Sequence, residues 1–331
     1  MKKNIMTGAE IIWECLMREG VNVVFGYPGG AILPTYDALS KYKNKIHHVL
    51  SRHEQGATHM ADGYARTSGK VGVAMATSGP GAANMVTGLA TAMMDSVPIV
   101  CITGQVPRPA IGSDAFQEMD ISGAVIPVTK HSYLVMDIKN LAKTIKEAFA
   151  IARSGRPGPV LIDIPKDVQA EEYNFIYPEN PVKVPGENPH DKEIDKKSLN
   201  DAADLITKAK RPVILAGHGI LLSGASNEVI ELSEKGDIPS SWTLLGSGAI
   251  PASHSLNMGM MGMHGEFAAN NAIQKADLLI ACGMRFDDRV TGNTKTYSLD
   301  SKKIHIEIDP SEINKNVPVD VALVGDLKLI L

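Results

Sequence analysis

A glutamate at the start of a predicted helix is the side chain best suited to exchange protons. The run RHEQGA (52–57) follows a predicted strand, and the helix face after Glu54 consists of Ala57, Met60, Ala61 and Tyr64. A glutamate in the first turn most often only complements the helix dipole. Here the small and apolar face predicts a poorly hydrated crevice. A carboxyl group buried without a cation favours its protonated form, which suits proton exchange near neutral pH.

Clusters of glycine follow several predicted strands. They lie at 27–31, 78–84, 155–159 and 259–265. Glycine lets a backbone approach a ligand closely and point its amides at it. Tight turns at helix N-termini explain any single cluster at least as well. None is a GxGxxG fingerprint or a P-loop; GHG at 217–219 comes nearest, but the spacing to the next glycine is wrong.

The elements that position these residues alternate between strands and helices. In the first half, strands are predicted at 21–26, 47–51, 71–77, 98–104 and 159–165, and helices at 32–41, 54–67, 80–94 and 139–153. In the second half, strands are predicted at 212–217, 238–243, 277–283, 303–309 and 321–326, and helices at 198–209, 225–235 and 266–275. Near-continuous apolar strands between helices predict an α/β fold with two doubly wound parallel-sheet domains.

A change of composition separates the two predicted domains. Residues 171–197 contain four prolines and many charges, which favour an extended linker because proline removes backbone donors and blocks helix. We therefore predict a first domain at 1–170, a linker at 171–197 and a second domain at 198–331. At the N-terminus, Thr7-x-x-Glu10 predicts a capping box, and hence a folded start rather than a signal peptide.

Composition excludes several classes of protein. The 331 residues are 44% hydrophobic with a net charge of −4, so neither a disordered chain nor a collagen is expected. Lys and Arg number 33 against 37 Asp and Glu, which provides no basic stripe for nucleic acid. The three cysteines are far apart, which argues against a zinc site or disulfides and favours a reducing cytoplasm. We expect a cytoplasmic protein that binds neither nucleic acid nor membrane.

Seven motifs in order give the sequence a resemblance to one enzyme family. They are FGYPGGA (25–31), RHEQGA (52–57), TSGPGA (77–82), TGQVP (103–107), DAFQE (114–118), SGRPGPV (154–160) and RFDDRVTG (285–292). Together they resemble the large catalytic subunit of acetolactate synthase (acetohydroxyacid synthase), a thiamine-diphosphate enzyme. The resemblance runs from about Thr7 to Leu331. It implies a domain that binds the pyrimidine of thiamine diphosphate, followed by a Rossmann-like central domain that binds FAD.

The resemblance implies roles for residues of the first domain. By position, Glu54 hydrogen-bonds N1′ of the aminopyrimidine, and Gly30 presents a backbone amide to the reacting centre. Gln117 reaches the reaction site, and Lys130 aligns with a lysine near the substrate entrance, although a solvated surface charge explains it equally well. The other thiamine-diphosphate positions are Tyr27, Pro28, Gly29, Thr77, Pro80 and Asn84.

The resemblance also implies an FAD site, to which the first domain contributes one arginine. The positions are Arg156, His264, Gly283, Arg285, Asp287, Arg289, Glu307, Asp309 and Asp326. Strands that end in a glycine or an acid present backbone and carboxylate where a dinucleotide lies in such folds.

The family continues with a third domain, whose GDG…NN motif binds Mg²⁺ and the diphosphate. This sequence contains no GDG, since Gly325-Asp326 is followed by leucine. We therefore expect no metal site in this chain. The resemblance implies that a third domain, which this sequence lacks, binds Mg²⁺. We also expect no activity from this chain alone. The family implies a homodimer or larger assembly through the first domain, with a regulatory small subunit as a further partner.

The complete enzyme would act on 2-oxo acids. It would decarboxylate pyruvate and condense the product with a second 2-oxo acid to 2-acetolactate or 2-aceto-2-hydroxybutanoate, which begins branched-chain amino acid synthesis. Pyruvate oxidase and catabolic acetolactate synthase remain alternatives, as does a non-catalytic FAD-binding or regulatory module. Glu54 argues against glyoxylate carboligase, which lacks this glutamate, and the FAD-type run at 285–292 argues against the catabolic synthase.

Overall fold

The computed structural model describes residues 4–180, 182 and 194–331. The chain divides into two compact units, Met1–Glu187 and Asn188–Leu331. The division lies within the predicted linker 171–197, part of which, residues 181 and 183–193, falls outside the described residues. Each unit contains a parallel sheet between helices, so the predicted α/β fold class is confirmed.

The first unit is built on a parallel sheet. Its strands are β1 (Ile5–Thr7), β2 (Val23–Gly26), β3 (His47–Leu50), β4 (Gly72–Ala76), β5 (Ile99–Gln105), β6 (His131–Leu134), β7 (Val160–Pro165) and β8 (Glu172–Asn174). Among the described residues, six of them form one parallel sheet in the order β3-β2-β4-β5-β7-β6, and β1 pairs antiparallel with β8. The order reverses between β2 and β4. Ligands of doubly wound sheets bind at such a switch point, outside the carboxyl ends of the strands.

Helices cover both faces of this sheet. They are α1 (Gly8–Arg18), α2 (Leu33–Leu39), α3 (Glu54–Ser68), α4 (Pro80–Ala83), α5 (Val86–Asp95), α6 (Ile121–Ala124), α7 (Ile138–Arg153) and α8 (Lys166–Ala170). Side chains of β4 alternate between the faces: Val73 and Met75 pack with α1 and α7, whereas Ala74 and Ala76 pack with α3 and α5. The α3 side is built from alanines, so this helix lies close to the strands. The predicted capping box is present, since Thr7 Oγ1 accepts from Glu10 N at 3.2 Å.

Several elements of the first unit differ from the sequence prediction, which did not include β1, β6, β8, α6 or α8. The predicted helix at 80–94 is two helices, α4 and α5, which separate at Asn84, a residue type that disfavours helix interiors. The short edge strand β6 was not predicted, because it has too few apolar residues to show an alternating pattern. Residues 172–174, inside the predicted linker, form β8. The segment that follows is held to the first unit by buried Phe175, over whose ring the Arg18 guanidinium lies at 5.4 Å.

The second unit repeats the architecture. Its strands are β9 (Pro212–Ala216), β10 (Ser240–Trp242), β11 (Asn257–Met260), β12 (Leu278–Cys282), β13 (Lys302–Glu307) and β14 (Val321–Val324). Its helices are α9 (Lys196–Lys208), α10 (His218–Ser223), α11 (Ser226–Gly236), α12 (Phe267–Lys275), α13 (Asp288–Thr291) and α14 (Leu327–Ile330). Strand β11 and helix α10 were not predicted, because a Met- and Gly-rich run and a single helical turn give weak periodicity.

The sheet of the second unit has the strand order of a Rossmann fold. From residue 194 onward, six described strands are parallel in the order β11-β10-β9-β12-β13-β14. The first described strand of the second unit, β9, therefore lies centrally, and the order reverses between β9 and β12. Such a reversal creates the crevice in which dinucleotides bind in this fold.

Candidate functional site

Glu54 is the first residue of α3 and lies at the switch point of the first sheet. The N-cap residue is His53, whose ring accepts a hydrogen bond from Gln55 N at 3.2 Å. Only 8% of Glu54 is exposed, as the small residues that follow it predict. A buried carboxyl therefore faces the point at which the strand order reverses.

Asn84 and Gly81 complete the surroundings of this carboxyl. The side-chain amide of Asn84 donates to Glu54 Oε2 at 2.9 Å, which fixes the plane of the carboxyl group. A Cβ atom on Gly81 would lie 3.3 Å from Glu54 Oε1 and 2.8 Å from Thr77 Cγ2. Glycine at this position thus keeps the approach to the second carboxyl oxygen open.

The turn after β2 packs against the turn after β4. A Cβ on Gly29 would lie 2.5 Å from Thr77 Cγ2, so only glycine allows this approach. The backbone amide of Ala31 donates to Thr77 Oγ1 at 3.0 Å. Gly30 borders open space, and Tyr27 is 42% exposed. Thr77 therefore holds the 27–31 turn in place while the Gly30 backbone remains accessible.

Gln117 also belongs to this group. Its φ is +60°, unusual for a residue with a side chain, and its backbone lies against Gly79, whose φ is +57°. A Cβ on Gly79 would lie 2.6 Å from Gln117 O. The structure thus brings Glu54, Thr77 and Asn84 together with the turns that carry Tyr27, Pro28, Gly29, Gly30, Pro80 and Gln117.

Replacing Gly79 by alanine tests this close approach. We expect a loss of about 2–4 kcal/mol in the free energy of unfolding, because backbone strain and a clash with Gln117 O add. Gly69→Ala is the matched control: its φ is +68°, but a Cβ there meets nothing within 4 Å, so strain alone costs about 1–2 kcal/mol. Urea denaturation measures both. Equal losses in the two variants would show that the approach to Gln117 is absent.

A buried polar cluster lies below the same turns. Asp163 on β7 is 1% exposed, and its carboxyl accepts from Thr103 Oγ1 and from Gln105 Nε2, both at 2.7 Å. Burial raises the pKa of Asp163 to about 7, and the negative charge of Asp120 acts in the same direction. The folded protein therefore holds a proton that the unfolded chain releases near pH 4.

This proton makes stability depend on pH. Between about pH 4 and pH 7 the folded state binds more protons than the unfolded state, so the contribution of Asp163 to stability falls as pH rises. We expect Asp163→Asn, which cannot ionise, to gain about 2–4 kcal/mol relative to the parent chain over this range, with no further change above it. Urea denaturation at pH 4.5, 6 and 8 measures this gain. Asp201→Asn, on exposed helix surface, is the control, and a gain independent of pH contradicts the expectation.

Two predicted residues of the first unit lie at helix ends. Lys130 Nζ donates to the carbonyl oxygens of Ile151 and Ser154, at 2.5 and 2.6 Å, where α7 ends. A cation is favourable at that end of a helix. Arg156 Nε donates to Ser96 Oγ at 2.8 Å, just beyond α5. These contacts give both cations structural partners, and their roles toward substrate and FAD stay predictions.

In the second unit, the ends of β9 and β12 touch at the switch point. Gly219 N donates to Gly283 O at 2.8 Å, and a Cβ on Gly219 would lie 2.7 Å from Gly283 Cα. Gly283 has a φ of +58°. The spacing of Gly217 and Gly219 is not that of a dinucleotide fingerprint, so the sequence does not predict their role here. Their position directly after a strand was the signal that could have identified them.

The acidic residues that the resemblance assigns to the FAD site lie at or just after the ends of β12, β13 and β14, at the same edge of this sheet. Three of them are N-cap residues of short helical turns: Asp287 accepts from Arg289 N, Asp309 from Ser311 N, and Asp326 from Lys328 N, at 3.0–3.1 Å. Glu307 is buried, and its Oε1 accepts from Ile308 N at 2.9 Å. Nearby, Arg285 is half-buried, whereas His264 and Arg289 are exposed. The structure therefore collects these residues at one edge, and their roles toward FAD stay predictions.

The following two statements hold for residues 4–180, 182 and 194–331. No group of three His, Cys, Asp or Glu side chains in these ranges is arranged to hold a metal ion. None of the helices described there is long and apolar enough to cross a membrane.

The sequence matches two families of known domains. Residues 6–124 match "Thiamine pyrophosphate enzyme, N-terminal TPP binding domain", and residues 199–331 match "Thiamine pyrophosphate enzyme, central domain". The first match covers β2, β3, β4 and β5 of the first sheet, and the second match covers all six described strands of the second sheet.

Individual relatives are similar over nearly the whole chain. The acetolactate synthase large subunit of Parasynechococcus marenigrum is 51% identical over 328 residues, which are 98% of this chain and 53% of that protein. The probable acetolactate synthase large subunit of Methanocaldococcus jannaschii is 51% identical over 332 residues, 98% of this chain and 55% of that protein. This chain spans about half the length of these relatives. The chain therefore belongs to the thiamine pyrophosphate enzymes, as a homologue of the acetolactate synthase large subunits.

Proposed function

We propose that this chain supplies the pyrimidine-binding and FAD-binding parts of an acetolactate synthase that joins two 2-oxo acids. The observation that carries the proposal is the buried Glu54 carboxyl, oriented by Asn84 at the switch point of the first sheet. A structural glutamate at a helix start would be expected to complement the dipole in solvent. This one is instead withdrawn from water beside the two glycine-containing turns at 27–31 and 77–84.

The residues present fit an aminopyrimidine ring. Such a ring is flat and offers a ring nitrogen to a carboxyl group, and Glu54 Oε1 lies beside Gly81, where no side chain intrudes. Gly29 and Gly79 likewise remove side chains where the turns meet. A cradle of backbone and glycine around one buried acid suits a planar ligand recognised at one edge.

These positions support the following roles for the residues of this chain. Glu54 holds and moves a proton at the ring nitrogen, while Asn84 fixes the carboxyl plane. The accessible Gly30 amide stabilises negative charge that develops on a substrate oxygen. Gln117 lies beside Gly79 of the 77–84 turn, and we propose that it contacts the substrate. Thiamine diphosphate, when bound, supplies the electron sink for decarboxylation and two-carbon transfer.

The diphosphate end of the cofactor needs other ligands. Mg²⁺ prefers oxygen ligands and commonly bridges a protein carboxylate to phosphates. The described residues of this chain contain no such cluster. We propose that a further domain, of the kind that the family resemblance implies, binds Mg²⁺ and the diphosphate.

Association with a second copy is part of the proposal. Apolar side chains of the first unit are exposed near the carboxyl ends of its strands, with Tyr27 42%, Leu50 63% and Phe116 88% accessible. Exposed apolar groups of this size favour a protein interface. A homodimer through the first unit, a regulatory small subunit and a cytoplasmic location complete the proposed setting.

The second unit should bind FAD. The Rossmann strand order and the close approach of Gly219 to Gly283 support a dinucleotide crevice at its switch point. We expect saturable quenching of flavin fluorescence by the folded chain, with a Kd of about 1–100 μM given the incomplete surroundings. Gly219→Val, whose side chain would push β12 away, should abolish it, whereas Gly224→Ala, in open space, should not. A folded chain that shows no saturable quenching contradicts the assignment.

Acetolactate formation tests the proposed function. The completed enzyme is this chain mixed with the part of the Methanocaldococcus jannaschii relative that it does not match. With thiamine diphosphate, Mg²⁺, FAD and pyruvate it should produce acetolactate in a colorimetric assay. A correctly folded, flavin-containing mixture that stays inactive on pyruvate and on 2-oxobutanoate contradicts the proposal.

A further inference from the structure

The segment between β5 and α6 is a compact loop that carries Gln117. At its start, Arg108 donates from its backbone N and from Nε to the carboxyl of Asp167, at 3.0 and 2.6 Å. Farther along, Glu118 accepts hydrogen bonds from the backbone of Ala115, at 3.0 Å, and of Gly112. The loop is therefore closed on itself by one glutamate, and its position over the sheet depends on how its two ends are attached.

Gln105 makes the attachment at the returning end. Its side-chain nitrogen donates to Met119 O at 2.8 Å and to Asp163 Oδ2 at 2.7 Å. Its side-chain oxygen accepts from Val106 N at 2.9 Å. At 3% exposure the carboxamide is buried with both protons of its nitrogen used. One end of this bridge is a loop carbonyl and the other is a strand side chain.

The bridge lies where small displacements matter. Gln117 and Gly79 approach so closely that a single Cβ would not fit between them. Met119 is two residues beyond Gln117. The position of the Met119 carbonyl group therefore limits how far Gln117 can lie from the 77–84 turn. A displacement of about 1 Å at a reacting centre can cost about a hundredfold in rate.

We propose that Gln105 is a positioning residue, which ties the loop bearing Gln117 to Asp163 on β7 and so sets where Gln117 meets the Gly79 turn. The proposal rests on the proposed function for what Gln117 does there. The tie itself concerns only residues of this chain. Thr103 shares Asp163 with Gln105, donating to Oδ1, but makes no bond to the loop in the contacts described.

Hydrogen exchange of the purified chain separates the tie from general stability. Gln105→Met removes the bonds to both Asp163 and Met119, whereas Thr103→Val removes one bond to Asp163 and leaves the loop attached. The amides of Gly112, Ala115 and Glu118 are hydrogen-bonded inside the loop, so they exchange when it opens. We expect Gln105→Met to accelerate amide exchange at 111–120 at least tenfold. The exchange rates of the β4 amides should be the same in Gln105→Met and in Thr103→Val.

Equal exchange at 111–120 in the parent chain and in Gln105→Met would overturn the proposal, as would equal acceleration by Thr103→Val. Gln105→Asn, which keeps the amide but is too short to span both partners, replaces Gln105→Met if that variant does not fold. In the completed enzyme, Gln105→Asn should lower kcat without changing the FAD titration. A completed enzyme without acetolactate activity would defeat the proposed function, while the exchange pattern still decides the role of Gln105.

Discussion

Replacing Glu54 by glutamine in the completed enzyme should lower kcat by about 10²–10⁴-fold, the range typical of a lost general acid or base. Glutamine has nearly the same shape and can still accept the amide of Asn84, which lies 2.9 Å from Glu54 Oε2. It cannot exchange a proton with a ring nitrogen. The loss should therefore appear in turnover and not in folding.

Initial rates at saturating pyruvate and circular dichroism of the purified chain measure the two effects separately. Glu231→Gln is the matched control, because its carboxyl lies on the exposed surface of α11 in an ion pair with Lys235, and it should change neither measurement. A Glu54→Gln enzyme with normal turnover and normal circular dichroism would remove Glu54 from the mechanism.

The 331-residue chain by itself should make no acetolactate above a control without protein. Among the described residues, the Glu54 cluster can hold the neutral pyrimidine ring, and no acidic cluster can hold Mg²⁺. Losing the charged end of the cofactor should weaken binding by about a thousandfold or more, about 4 kcal/mol. The reacting ring would then lack a fixed position, and much of the benefit of orientation would be lost.

Calorimetric titrations test this expectation without reference to activity. If only the ring is recognised, the chain should bind thiamine and thiamine diphosphate with similar weak affinity, and Mg²⁺ should have no effect. The completed enzyme should prefer the diphosphate strongly and require Mg²⁺. Acetolactate formed by the chain alone, and lost in Glu54→Gln, would show that these residues contain a complete site.

The sequence predicted the framework of the site because local patterns determine it. Runs of apolar residues located β2, β4, β5 and β7 to within two residues, since strands buried on both faces have no other composition available. The small and apolar residues after Glu54 predicted a poorly hydrated crevice around its carboxyl, and the carboxyl is buried in the structure.

Contacts between residues far apart in the chain could not be predicted from the sequence. Nothing local to Gln105 indicates that its side chain meets Met119, 14 residues away, and Asp163, 58 residues away. The approach of Gly219 to Gly283 depends on β9 and β12 being neighbours. The glycine spacing of the GxGxxG fingerprint does not predict this contact. Lys130 likewise looks like a free cation in the sequence, yet the end of α7 lies beside it only in the folded chain.

An aspartate after a strand can have either of two roles, helix capping or ligand binding. The family resemblance implies that Asp287, Asp309 and Asp326 bind FAD, and in the structure each caps a helical turn. An N-cap aspartate contributes about 1 kcal/mol to stability. A carboxylate at a strand end can therefore be present for the turn alone, and sequence position does not separate this role from ligand binding.

The central claim is that the buried carboxyl of Glu54 exchanges protons with the pyrimidine ring of thiamine diphosphate. The most direct test is the rate at which the C2 proton of the cofactor exchanges with D₂O in the completed enzyme, followed by NMR after acid quenching. We predict exchange at least about a hundredfold faster with the parent chain than with Glu54→Gln. Equal exchange rates in the two proteins, with the cofactor bound in both, would contradict the claim.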